Sequence, residues 1–304
     1  MCYSATQVQA LNEHQSTSEY KKVFLEMQKQ SLIILMNCAG LEIMRYLNNS
    51  KIFADKYDIE FFSSYELVSP DGRQKFSDAC GKADVVLTQN IKKVEGLTYD
   101  EVVRMAKRSC HIIKIEYWRF NGFWPIYLPH SWPGFWFLPS EADFPRSGTF
   151  ESYMATGIDR QSIKDHFESE CERLHGIDLM SDIKIYPLFE RSYINNRTFS
   201  DYNHPCSFFF HHVSNIILNM LGIDETVSIL SDHGINDIRH RLILDEVYNT
   251  LDLKFDRDNI CFFGKVITQK QFFDFSRFLM DNPPVEPALP AQIGTRFQEF
   301  FGDA

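Results

Sequence analysis

Paired cysteines are missing. The seven present, Cys2, Cys38, Cys80, Cys110, Cys171, Cys206 and Cys261, are odd in number and scattered, with no C-x-x-C. That speaks against a disulfide framework and against a structural zinc site, and it suits a reducing compartment. Basic charge is short as well: 31 Lys and Arg stand against 41 Asp and Glu, for a net charge of −10. Binding nucleic acid needs concentrated cations to neutralise phosphate, so that class is excluded, and nothing favours adhesion to an anionic membrane. Long apolar runs are lacking. The longest clean run near the start, Leu32 to Met36, falls far short of the roughly 18–20 residues that cross a bilayer. The opening residues are polar, without the basic start and apolar stretch of a signal peptide. A cytoplasmic protein without membrane insertion is expected.

What remains is 304 residues, 44% apolar and 24% charged, which fits one large globular domain or two ordinary ones. The 27 phenylalanines promise a well-filled core. After a predicted helix over 18–29, short apolar strands at 31–36, 58–62, 83–87 and 111–116 alternate with helical patterns at 41–47, before Gly81 and at 99–108. This rhythm predicts an α/β fold with a doubly wound parallel sheet, whose ligand crevice lies beyond the carboxyl ends of the strands. Cys38, Gln89 and Tyr117 each follow a predicted strand and should converge there. Residues 117–150 hold all four tryptophans, Trp118, Trp124, Trp132 and Trp136, with five prolines. They read as an ordered loop over the crevice or as a plug at the core edge. Helices return at 159–174, 207–221, 235–250 and 269–281, and a proline-rich wrap at 283–293 precedes a short terminal helix.

Three groups carry candidate chemistry. Cys38 sits at a strand-to-helix turn, where the helix N-terminus favours thiolate and backbone N–H groups can hold an oxyanion. Taken alone, a cysteine at such a turn is more often a small buried hydrophobe. Within Ser200-Asp201-Tyr202-Asn203-His204-Pro205, an Asp three residues before a His can orient the imidazole and stabilise its charged form. The bland alternative is a turn capping the next helix. Gln89 and Asn90 can donate side-chain hydrogen bonds to an oxyanion, or merely satisfy a strand end. His211 and His212 lie on one predicted helix, and His233, Asp237 and His240 cluster in sequence. Any metal there would need ligands from elsewhere, so none is expected.

The order of these groups matches SGNH-type (GDSL-like) hydrolases, with cysteine in place of their usual serine. Closer still, Ile34-Leu-Met-Asn-Cys-Ala-Gly40 resembles the Gly-Asn-Cys-Gln opening of the WcbI-like capsule-polysaccharide biosynthesis acetyltransferase family, with Met36 and Ala39 where that family has Gly and Gln. Ala83 to Gln89, Ile112 to Pro125, and Phe199 to Pro205 with the helix after it resemble further blocks of that family, over roughly residues 31–222. The resemblance implies an SGNH-like three-layer α/β/α core over 31–225, flanked by helical extensions at 1–30 and 226–304. It implies O-acetyl transfer from acetyl-CoA to a sugar of a surface polysaccharide, through Cys38, His204 and Asp201 with Gln89 or Asn90. Asn37, Ala39, Gly40, Tyr117, Trp118, Arg119, Asn121 and Gly122 would lie against coenzyme A, and Arg119, Arg191 and Arg197 are candidate phosphate partners. A thioesterase or carbohydrate esterase with the same site, and a glycan-binding protein stacking sugars on the Trp-rich loop, are the alternatives.

Overall fold

Strand β1 (Gln30–Met36) is central, and its residues Leu32 to Met36 are buried without exception. Consecutive burial of that kind requires cover on both faces of a sheet. The structure, a computed structural model, describes residues 29–91, 97–125, 148–155, 157–230, 241–258, 260–263, 265–282 and 290–302. The expected helix over 18–29, residues 126–147 with Trp132 and Trp136, the cluster His233, Asp237 and His240, and most of the proline-rich wrap lie outside them.

Helix α1 (Ala39–Leu47) follows β1 at once and buries Ile43, Tyr46 and Leu47. Helix α2 (Lys51–Lys56) is capped by Ser50, whose hydroxyl accepts from Phe53 N–H at 3.1 Å, and runs into β2 (Tyr57–Ser63). Helix α3 (Pro70–Cys80) starts at the Ser69 cap with proline in its first turn. Then come β3 (Val85–Gln89), α4 (Tyr99–Met105) and β4 (His111–Ile115). All four strands pair in parallel in the order β2-β1-β3-β4. Helices α1 and α2 pack on the face carrying Leu32, Ile34 and Met36, and α3 and α4 on the face carrying Ile33 and Leu35. The chain therefore changes direction between β1 and β3, and the crevice opens beyond the ends of those two strands.

The rest of the described chain thickens the first face: α5 (Phe150–Met154), α6 (Arg160–Leu179), α7 (Tyr186–Ser192), a hairpin of β5 (Phe199–Asp201) and β6 (His204–Pro205), α8 (Ser207–Met220), α9 (Asp245–Thr250), a hairpin of β7 (Ile260–Phe262) and β8 (Lys265–Ile267), α10 (Gln269–Asp281) and α11 (Pro290–Phe301). These elements share one buried core with β1. Its centre is aromatic: Phe120 lies 4.4 Å from Phe189 and 5.1 Å from Phe123, ring centre to ring centre. Among the described residues, no helix is long and apolar enough to cross a membrane.

The structure departs from the sequence reading at several places. The strand expected at 83–87 begins at Val85 and runs on to Gln89, which is thus its last residue. Of the helix expected over 235–250, residues 235–240 lie outside the described residues, and the described part is helical from Asp245 to Thr250. Residues 241–244 are not helical, because Arg241 N–H bonds Ser200 O and Ile243 N–H bonds Gln269 Oε1. Tertiary partners have replaced the helical ones. Trp118 and Trp124 are buried, with Trp124 Nε1 donating to Leu242 O at 3.0 Å, so neither offers a face to a sugar.

Candidate active site

The turn after β1 is built around Asn37. Its N–H donates to Gln89 Oε1 at 3.2 Å, which ties the ends of β1 and β3 together. Its side-chain oxygen accepts from Ala39 N–H at 3.0 Å, and its carbonyl accepts from Gly40 N–H at 3.0 Å. Cys38 is the residue capping α1, half-buried at the positive end of the helix. Gly40 lets that helix leave the sheet so sharply. A Cβ there would stand 2.6 Å from Phe61 Cε2 and 2.9 Å from Met36 Cβ. Tyr46, two turns along α1, fixes the helix against α8: its hydroxyl lies 3.2 Å from Ser207 O and accepts from Leu230 N–H at 3.0 Å.

Across the turn stands the β5–β6 hairpin. His204 Nε2 lies 3.7 Å from Cys38 Sγ. His204 Nδ1 lies 2.6 Å from Asp201 Oδ1, and both side chains are almost wholly buried. Asp201 faces His204 because the two are a cross-strand pair in the hairpin. The same carboxylate oxygen accepts from Asn203 N–H at 2.9 Å, closing the turn. Burial alone would raise the Asp201 carboxyl; the charge and hydrogen bond of His204, the Asn203 N–H and the nearby Arg241 outweigh it and hold the group below the usual carboxylate value. The arrangement is a thiol, an imidazole and an acid in line, able to move a proton between sulfur and a reacting oxygen.

A lowered Asp201 pKa means that this carboxylate stabilises the fold above its unfolded pKa, and that the stabilisation is lost as pH falls through the folded value. Asp201→Asn should therefore make stability less sensitive to acid, as read by melting temperatures between pH 3 and pH 7. It should also slow acyl transfer, though less than loss of His204, because the acid orients the base without carrying the proton. An Asp201→Asn protein as acid-sensitive as wild type would remove Asp201 from this role.

The other expected site residues fall into two groups. Gln89 joins the turn, and its side-chain nitrogen has no hydrogen bond among the described residues. Tyr117 reaches the site through Asn203, whose side-chain N–H donates to the phenol at 2.9 Å. Burial pushes that phenol up to about 12. Asn90, by contrast, is engaged elsewhere: it donates to Glu116 and accepts from Tyr99 N–H. Trp118 is core, and Gly122 packs beneath Phe120 and Phe167. Asn121 N–H donates to Glu170, and its carbonyl meets His166. Arg119 lies over the Tyr202 ring, 5.5 Å from its centre, whereas Arg197 is bound to the carbonyls of Phe199, Ser200 and Arg241. The expectation that backbone donors of the Cys38 turn hold an oxyanion meets an obstacle, since Ala39 and Gly40 N–H already bond Asn37.

Two residues were not singled out by the sequence. Glu42, one turn after Cys38, is buried and paired with Arg45 at 2.8 Å. Asn203 joins it in lining a small recess with Cys38, Ala39, His204, Pro205 and Phe210, of about 10 Å³, room for about one water. The i, i+4 spacing from Cys38 could have flagged Glu42; Asn203 carried no signal beyond lying inside the Asp-x-x-His turn.

Comparison with known proteins adds to this geometry. A family described as polysaccharide biosynthesis enzyme WcbI matches residues 31–226. One similar solved structure is described as WcbI, a novel polysaccharide biosynthesis enzyme, in native form without a disulfide bond between CoA and a cysteine. It is 12% identical, with a TM-score of 0.59 over 90% of this chain and 95% of that one. No curated protein matches.

Proposed function

Because the chain belongs to the WcbI family of polysaccharide biosynthesis enzymes, we propose that it transfers an acetyl group from acetyl-CoA to a sugar hydroxyl of a surface polysaccharide. The observation that carries this reading is the line Cys38 Sγ, His204 Nε2, His204 Nδ1, Asp201 Oδ1 at 3.7 and 2.6 Å. Two further facts support it: the nucleophile, amide and Asp-His groups occur in the chain order of SGNH-type hydrolases, and the similar structure's description names CoA and a cysteine together, with no disulfide between them.

In this mechanism His204 Nε2 takes the Cys38 proton, and the thiolate attacks the thioester carbon. The Gln89 side-chain N–H steadies the oxyanion. The new C–S bond to Cys38 forms, the bond to the CoA sulfur breaks, and His204 returns the proton to the departing thiolate. An acceptor hydroxyl then gives its proton to His204 and attacks the acetyl-Cys38 carbonyl. The C–O bond forms, the C–S bond breaks, and the proton passes to Cys38. Arg119, which has no carboxylate partner among the described residues, is the side chain best suited to a CoA phosphate.

The one-water recess favours a second reading, a thioesterase that hands the acyl group to water. Release of CoA from acetyl-CoA, followed with and without polyols and hexoses, tests both. Transfer predicts that acceptors divert acetate into ester; a thioesterase yields only acetate. No CoA release above that of Cys38→Ala contradicts both.

A further inference from the structure

The side-chain oxygen of Asn203 is buried and has no hydrogen-bond partner among the described residues. A buried acceptor left unmet is costly, and one that persists beside a reactive group points to a partner supplied by substrate. Its surroundings fix where that partner must sit. Asn203 stands in the turn between Asp201 and His204, and it lines the Cys38–His204 recess. Its orientation is set from two sides, by its own N–H on Asp201 and by its side-chain N–H on the Tyr117 phenol. That phenol stays protonated through neutral pH, being pushed up to about 12 by burial. The recess itself admits about one oxygen atom.

A single alcohol hydroxyl has one proton, and in the transfer step that proton goes to His204. It has none left for Asn203. A neighbouring hydroxyl on the same molecule has one. We infer that Asn203 selects acceptors bearing two adjacent hydroxyls, one deprotonated by His204 as it attacks and the other donating to the Asn203 side-chain oxygen. This rests on the acyl-transfer reading and sharpens its acceptor to a vicinal diol. It is a specificity role: a site built to hydrogen-bond a hydroxyl discriminates strongly against the analogue that lacks it.

Acetyl-CoA as donor, with propane-1,2-diol and propan-1-ol as competing acceptors, tests the inference. The ratio of the two esters is read, so a variant's overall rate does not enter. Wild type should favour the diol by about tenfold. Asn203→Ala should bring the ratio to within about twofold of unity, while Asn203→Asp, which keeps an acceptor at that position, should retain a clear diol preference. Equal use of both alcohols by wild type, only acetate from both, or an undiminished preference in Asn203→Ala overturns the inference while leaving acyl transfer through Cys38 standing. Absence of any acetyl group on wild-type Cys38 removes the acyl-transfer reading and this one with it.

Discussion

Purified His204→Ala should transfer acetyl groups about 10²–10⁴-fold more slowly than wild type, the usual cost of removing a general base. The expectation follows from position. His204 Nε2 is the basic atom 3.7 Å from the Cys38 sulfur, and the opposite ring nitrogen is held by Asp201. The same substitution should slow alkylation of Cys38 by iodoacetamide between pH 6 and pH 8, since the thiolate is the reacting form. Loss of the ring also leaves the Asp201 carboxylate buried with one partner fewer, which costs stability. Rates must therefore be compared at a temperature where His204→Ala is folded, and His204→Gln, which keeps a side-chain N–H for Asp201, serves as a check. Adding Asp201→Asn to His204→Ala should cost little more, because residues that act as one unit are not additive. Transfer by folded His204→Ala at the wild-type rate would reduce the Asp201–Pro205 turn to a cap on α8.

The parts of this site that could be read from sequence are those encoded locally. The run Leu32–Met36 followed by Asn37, Cys38 and Gly40 announces a strand, a tight turn and a helix, and the structure has them. Asp201 and His204 lie three residues apart in a turn closed by Asn203 N–H on Asp201, so their pairing is a local event too. The helices at 207–220 and 269–281 fall where apolar periodicity puts them. What the sequence hid depends on partners far along the chain. The clamp of Asn37 on Gln89 spans 52 residues, and it decides that Gln89 faces the turn while Asn90 turns to Glu116. Residues 241–244 fall inside the helix that periodicity predicts over 235–250, but backbone bonds of Arg241 and Ile243 go to Ser200 and Gln269. The tryptophans left a loop over the crevice and a plug at the core edge both open, and the bond of Trp124 to Leu242 O holds that ring in the core. Tertiary hydrogen bonds overrode local pattern in each case.

The larger effect lies at Cys38. The account makes its sulfur the atom that carries the acetyl group, so Cys38→Ala should lose transfer altogether rather than slow it. A serine there would lack the readily formed thiolate and should fall far below wild type as well. The fold should tolerate both changes, because the turn is held by Asn37, Gly40 and Gln89 rather than by the thiol. The most direct measurement is the intact mass of the protein, quenched shortly after mixing with acetyl-CoA in the absence of acceptor, with the modified peptide then located. The account predicts one acetyl group on wild type, carried by the peptide containing Cys38, and none on Cys38→Ala. Turnover of acetyl-CoA by Cys38→Ala at the wild-type rate, with no acetyl group on wild-type Cys38, would contradict it.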